Sequence, residues 1–317
     1  MKECDVVVVG GGAGGLSAAL VLVRARRMVV VVDAGAPRNA PAAHMHGFLS
    51  RDGVPPRELL AAGRAEVSSY GGRLIDDTVV GVEPGFHVRL ASGAHLRTRR
   101  ILVATGLRDE LPDLPGVRER WGRDLLHCPY CHGYEVRDQP LGVLGGAPEA
   151  VQHALLVRQW SSDVTLFPHS DALSSEQREQ LTARGIRIVE GTVTRLVVDN
   201  DHLHGVELTG GTVVPRAAVF VRPRFVPNAD LLTGLGCAVD AHGWVVHDPV
   251  GRTSVAGVWV AGNAADPRAQ VISAAGEGSA AAIALNADLV DEDVKRALTD
   301  HRAGHAASAP ALPTSSF

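Results

Sequence analysis

The sequence predicts an α/β chain with two Rossmann-like nucleotide-binding domains, each a three-layer stack of the ββα/αβα kind, and three observations predict it. A β-branched run at residues 6–9 meets a glycine turn at 10–15, a helix-forming stretch at 16–27 and a second run at 28–32, which together make a βαβ unit. A weaker copy recurs at 141–144, 145–150, a helical stretch to Trp160, and 164–167. The length, 317 residues, suits two domains of ordinary size. Further short strands are expected at 87–90, 101–104, 191–198, 213–220 and 257–260, and the stretch from Ala303, rich in Ala, Ser and Pro, reads as a disordered tail.

Composition narrows the class. Apolar residues are 45% and charged residues 21%, the usage of an ordinary globular protein. Lys plus Arg number 31 against 35 for Asp plus Glu, so the basic excess that nucleic-acid binding needs is missing. Residues 16–23 form a short apolar stretch closed by Arg24, Arg26 and Arg27, well below the roughly 18 apolar residues of a membrane span. The run at 6–9 starts too near Met1 to follow a signal peptide's charged region. Of four cysteines only Cys128 and Cys131 are close together, so the expectation is a cytoplasmic protein without a disulfide framework. Cys4 and Cys237 are expected to be buried thiols in strand and turn contexts.

Gly10, Gly12 and Gly15 form G-x-G-x-x-G between a strand and a helix, with Asp33 at the end of the next strand. Such a motif needs a tight turn at Gly10, a bare backbone at Gly12 for the approach of a pyrophosphate, and close packing at Gly15. The helix N-terminus adds positive partial charge, and Asp33 can accept hydrogen bonds from a ribose. This pattern alone does not choose between NAD and FAD.

Cys128-Pro-Tyr-Cys131 stands between His127 and His132. A redox disulfide needs two thiols able to bridge and one of depressed pKa, which a CxxC at a helix start supplies. A zinc site needs four ligands, and there is no second cysteine pair; an inert structural pair is the third reading.

Ala104-Thr105-Gly106 after a strand and Gly257-Val-Trp-Val-Ala-Gly262-Asn263 near the C-terminus, taken in order with the glycine turn and the CxxC, resemble the thioredoxin reductase family from about Cys4 to Val290. The resemblance implies the low-molecular-weight thioredoxin reductase architecture. Residues 1–113 and 242–302 would be the two halves of an FAD-binding domain, 114–241 an inserted NADPH-binding-like domain carrying the CxxC, and 303–317 the tail. It implies FAD at Gly10, Gly12, Ala13, Gly14, Gly15, Asp33, Ala34, Arg38, Asn39, His46, Ala104, Thr105, Gly106, Gly262, Asn263, Gln270 and Val271, with Gln270 near the isoalloxazine. Asn263 stands where most members have Asp, so a contact to the ribityl chain becomes an amide contact. The same resemblance makes Cys131 the thiol that faces the flavin and Cys128 the exchanging thiol, in a homodimer. His44 is a further candidate to line the site.

The run Cys-Pro-Tyr-Cys-His-Gly-Tyr-Glu at 128–135 is similar to the dithiol oxidases of gliotoxin-type and holomycin-type natural products, relatives that pass electrons to O2. His132 occupies the place of the aspartate proton donor of thioredoxin reductases, and an imidazole titrates near neutrality, which suits a base working on thiols. The second glycine turn departs from a working NADPH site. Ala147 replaces the middle glycine, Pro148 removes an N–H, and Pro168, His169 and Ser170 replace the basic cluster for a 2′-phosphate, with Asp171 adding a negative charge. Arg222, before the Pro227-Asn228 signature, is bulky enough to fill the nicotinamide path.

NADPH is therefore doubtful, and the expected enzyme is an FAD-dependent dithiol oxidase that closes a disulfide in a small-molecule dithiol and gives H2O2. The alternatives are a reductase of a thioredoxin-like protein that depends on NADPH or another donor, and a redox-sensing flavoprotein. Neither a nucleic acid, a membrane nor a metal ion is expected as a partner.

Overall fold

A computed structural model describes residues 2–145 and 148–307. The chain begins with β1 (Lys2–Val9), α1 (Ala13–Arg24), β2 (Val29–Asp33), α2 (Pro56–Ser69), β3 (Arg73–Asp76), β4 (Val79–Glu83), β5 (His87–Leu90), β6 (His95–Val103) and β7 (Leu107–Glu110). It continues through α3 (Val117–Arg120), β8 (Leu125–Leu126), α4 (Pro129–His132), β9 (Leu141–Leu144), α5 (Pro148–Val157), β10 (Val164–Phe167), α6 (Ser175–Ala183) and β11 (Arg187–Ile188). It ends with β12 (Val193–Asp199), β13 (His202–Leu208), β14 (Val213–Pro215), β15 (Ala218–Val221), β16 (Arg224–Pro227), α7 (Asp230–Gly234), β17 (Val258–Val260) and α8 (Val271–Ala307).

Val6, Val7, Val8 and Val9 are all buried, as a central parallel strand covered on both faces requires. β1 lies between β2 and β6, and β3 continues the parallel sheet beyond β2. The far edge of β6 is shared: residues 95–97 pair antiparallel with β5, and 101–103 pair parallel with β17. On one face Leu16, Ala19 and Leu22 of α1 pack with Leu285 and Leu289 of α8. On the other, Val7, Val9 and Ile101 pack with Leu232 and Cys237. Cys4 and Cys237 are both buried, as expected, and burial pushes both thiols up in pKa.

The second sheet has the order β11-β10-β9-β15-β8, all parallel, with α5 packed on it through Ala150, Val151 and Ala154. β12, β13 and β14 form a separate antiparallel sheet. The strand expected over 213–220 is thus two strands in two sheets: Pro215 ends β14, and the chain crosses over to β15.

Two further differences concern the ends of elements. Residues 303–307, expected to open the tail, continue α8; the rest of that expectation lies outside the described residues, as do Gly146 and Ala147 of the second glycine turn. No helix among the described residues is long and apolar enough to cross a membrane.

The antiparallel pair β7·β16 joins the two sheets, and Asn228 locks it. Its N–H donates to the Gly106 carbonyl at 3.0 Å and its side-chain amide to the Thr105 carbonyl at 2.9 Å, while Thr105 Oγ1 donates back to the Asn228 carbonyl at 2.8 Å.

Candidate active site

One cleft of about 980 Å³ runs from the first glycine turn to the CxxC and on to the second sheet. Every predicted site residue except Gly15 lines it, and His44 does so as well. Gly15 has the structural part foreseen for it: a Cβ there would sit 1.9 Å from the Gly10 carbonyl oxygen. Gly10 has φ +104, and a Cβ on it would meet the Ala104 carbonyl at 2.4 Å, whereas a Cβ on Gly12 would meet nothing within 4 Å. The bare backbone at Gly12 therefore faces open cleft. Gly12 is also the N-cap of α1 and provides no side-chain cap, so the first N–H groups of the helix remain for a ligand. This is a cradle that fits a pyrophosphate.

Asp33 is held at the end of β2: one carboxylate oxygen accepts from Gly11 N–H at 3.0 Å and the other from Arg64 at 3.2 Å. Arg38 grips Asp109 with two N–H groups at 2.8 and 2.7 Å, donates to Asn263 Oδ1 at 3.3 Å, and lies over the Phe225 ring at 5.0 Å. Asn263 spends its amide N–H groups on the Asp266 and Ala269 carbonyls, at 2.8 and 3.0 Å. Expected as a contact to the ribityl chain, it is thus engaged in shaping its own loop. Behind it the Gly262 N–H donates to Glu277, whose carboxyl is pushed up in pKa by burial. His46 lies between two carboxylates, Asp52 at 3.2 Å and Glu135 at 3.5 Å, and so joins the 34–53 loop to the segment after the CxxC.

Cys128 is the N-cap of α4 and Cys131 its third residue, which brings the Cα atoms within 5.2 Å and the sulfurs into a disulfide. The pair is therefore closed as a disulfide. His132, next to Cys131, is half-buried; burial lowers its pKa, with the Glu135 carboxylate opposing and His46 adding to the shift.

On the other side, His127 Nδ1 is 3.2 Å from the Val221 carbonyl. A carbonyl only accepts, so Nδ1 carries the proton and Nε2 keeps its lone pair. Burial lowers this pKa also. The ring meets Phe225 edge-on at 5.1 Å and His153 of α5 at 5.7 Å. Arg222, exposed, completes this wall. At the end of β10, His169 Nδ1 accepts the Val193 N–H at 3.0 Å, so the ring where a 2′-phosphate cluster was sought serves as an acceptor that ties two strands.

Sequence reasoning missed Asp109, Glu135, Glu277 and His153. Each is recruited across the fold, and Asp109, Glu277 and His153 sit in no motif that marks them. Glu135 alone had a signal, as the last residue of the run at 128–135.

The model of the pyridine nucleotide-disulphide oxidoreductases matches residues 4–279. The chain belongs to that family. Among curated relatives, thioredoxin reductase sirT of Leptosphaeria maculans is 30% identical, the match covering 86% of this chain and 90% of the relative. Thioredoxin reductase of Streptomyces coelicolor is 29% identical over 77% and 80% of the two chains. Among solved structures, HlmI superposes with a TM-score of 0.93 at 62% identity, covering 97% of this chain and 98% of its own. An oxidoreductase from Agrobacterium tumefaciens gives 0.85 at 34%, covering 92% and 99%. The protein is thus a thiol-disulfide oxidoreductase of thioredoxin reductase-like fold, and the family implies FAD as its cofactor. The cradle at Gly12, the carboxylate of Asp33 and the cleft volume fit that group.

Proposed function

We propose that the protein is an FAD-dependent dithiol oxidase that closes a disulfide in a small-molecule dithiol, with O2 as electron acceptor and H2O2 as product. The observation that carries this reading is the Cys128–Cys131 disulfide set in the wall of the same cleft as the flavin cradle, flanked by histidines whose pKa is lowered by burial. The similarity of residues 128–135 to dithiol oxidases supports it, as does the use of His169 as a strand-tying acceptor where a nicotinamide nucleotide would need a cation.

The disulfide is the resting oxidant. His132, kept neutral by burial, takes the proton of one substrate thiol at an imidazole nitrogen. The thiolate attacks Cys128 Sγ; the S–S bond breaks, and Cys131 leaves as a thiolate. The second substrate thiol attacks the substrate sulfur of the mixed disulfide, its proton passing to Cys128 as that sulfur leaves. Two electrons have passed from the dithiol to the cysteine pair; one proton rests on His132 and the other on Cys128, and Cys131 remains a thiolate. When bound, FAD supplies the two-electron path from that pair to O2. A pair that meets small dithiols needs access but no docking face, and the cleft provides access.

The test is anaerobic flavin absorbance, with a small dithiol in one cuvette and NADPH in another, followed by air. The expected result is bleaching by dithiol, with recovery and peroxide on aeration. Rapid bleaching by NADPH alone would overturn the reading in favour of a thioredoxin reductase, the name that the Leptosphaeria maculans and Streptomyces coelicolor relatives carry.

A further inference from the structure

Among the described residues, four buried side chains hold polar atoms without a hydrogen-bond partner: both nitrogens of His153, Thr165 Oγ1, Arg216 Nε and Trp259 Nε1. Buried polar groups are almost always paired, and an exception asks for its partner. Of these four only His153 lines the cleft. Its residue is 8% exposed, and its ring is packed edge-on against Phe220 at 5.9 Å. The His127 main chain comes near but does not reach hydrogen-bond geometry. Arg222 lies in the same stretch of wall, where its charge acts on both histidine rings, and it makes no hydrogen bond or ion pair to any described residue. Across the 5.7 Å between ring centroids, His127 keeps its Nε2 lone pair.

We propose that His153 and Arg222 form a substrate-anchoring subsite, whose ligand is an sp² oxygen acceptor, an amide carbonyl or a carboxylate, carried by the dithiol away from its sulfurs. The proposal rests on the dithiol oxidase reading. Arg222 can only donate, and a neutral imidazole offers one N–H beside it, so an oxygen with two lone pairs is their common complement. An amide adds an N–H that His127 Nε2 can accept; a carboxylate instead adds charge for Arg222. The subsite begins at the residue before Cys128, so a ligand held there presents its thiols to the exchanging sulfur.

The test is calorimetric titration of the FAD-loaded protein with three cyclic disulfides of one carbon skeleton: lipoamide, lipoate and 3-pentyl-1,2-dithiolane, which lacks the acceptor. Lipoamide or lipoate is expected to bind about tenfold more tightly than the acceptor-free compound, the scale of one or two hydrogen bonds. His153→Phe, which fills the same aromatic pocket, is expected to erase that advantage while melting at or above the wild-type temperature. Arg222→Met, at an exposed side chain, keeps the test readable should the core variant be unstable, and is expected to weaken lipoate more than lipoamide.

Equal binding of all three compounds to the wild type, or an acceptor advantage that survives both substitutions, would overturn the subsite. Failure of the oxidase reading shows separately, as the absence of O2 uptake with the reduced form of every compound. The binding pattern can still be read in that case.

Discussion

At the flavin end of the cleft the charged side chains are already paired within the protein, whereas at the end formed by the second sheet they are not. Arg38 holds Asp109, Arg64 holds Asp33, and His46 stands between Asp52 and Glu135. Opposite them, His153 has no partner for either nitrogen, and Arg222 has none among the described residues. Paired groups give a wall whose shape is fixed before anything binds, which suits a resident cofactor. Unpaired groups cost stability and are kept where a transient ligand completes them.

The disulfide stands between the two walls, and Cys128→Ser is the sharpest way to separate their roles. The variant is expected to retain FAD and lose dithiol turnover by more than about a thousandfold, because the sulfur that the substrate thiolate attacks is gone; oxygen uptake against flavin content measures both.

Next come two glycines, Gly278 of α8, packed on the Gly14 backbone, and Gly12, which lines the cleft. A Cβ on Gly278 would lie 2.0 Å from the Gly14 carbonyl oxygen, so Gly278→Ala is expected to cost roughly 1–3 kcal/mol in chemical denaturation. Gly12→Ala, where a Cβ meets nothing, should leave stability within about 1 kcal/mol yet lower the flavin-to-protein ratio after purification. Similar losses in both assays for both variants would erase the distinction between packing and ligand glycines.

His132→Gln is expected to lower kcat/KM for a dithiol by roughly ten- to a hundredfold. In the wild type the acid limb of the pH profile should have its midpoint below the ordinary imidazole value of 6.5, because burial disfavours the charged ring, and the variant should lose that limb.

The last effect concerns stability in acid. Burial brings His153 down to about 4 against 6.5 for a free imidazole, so between those values the unfolded chain carries the extra proton. Its contribution is whole above pH 6.5 and drains as the pH falls to about 4, by roughly 3 kcal/mol at about 1.4 kcal/mol for each pH unit. His153→Phe is expected to flatten this part of the stability profile, measured as urea midpoint against pH.

What the sequence made legible was local. The valines at 6–9, the glycine spacing and the CxxC each sit within one element or one turn, where pattern and chemistry coincide. The charge fork from Arg38 to Asp109, the His46–Glu135 contact and the lock of Asn228 on Thr105 join residues 71 to 123 positions apart, and no periodicity encodes them. Residues 213–220 misled for a related reason: eight residues with strand character do not reveal that the chain changes sheets after Pro215. His153 was hidden by its setting, since a histidine inside an amphipathic helix pattern looks like any half-polar position until the wall it faces is known.

The second sheet is made entirely of strands between residues 125 and 221, while the first needs β1 at one end of the chain and β17 and α8 at the other. A ribosome releases β1 first, the strands of the second sheet next, and β17 and α8 last. The second sheet can therefore complete its hydrogen-bonded ladder during translation, while the apolar side of α1 waits for the part of its cover that Leu285 and Leu289 provide. The flavin cradle, though its glycines are among the first residues made, is among the last parts of the molecule to be closed.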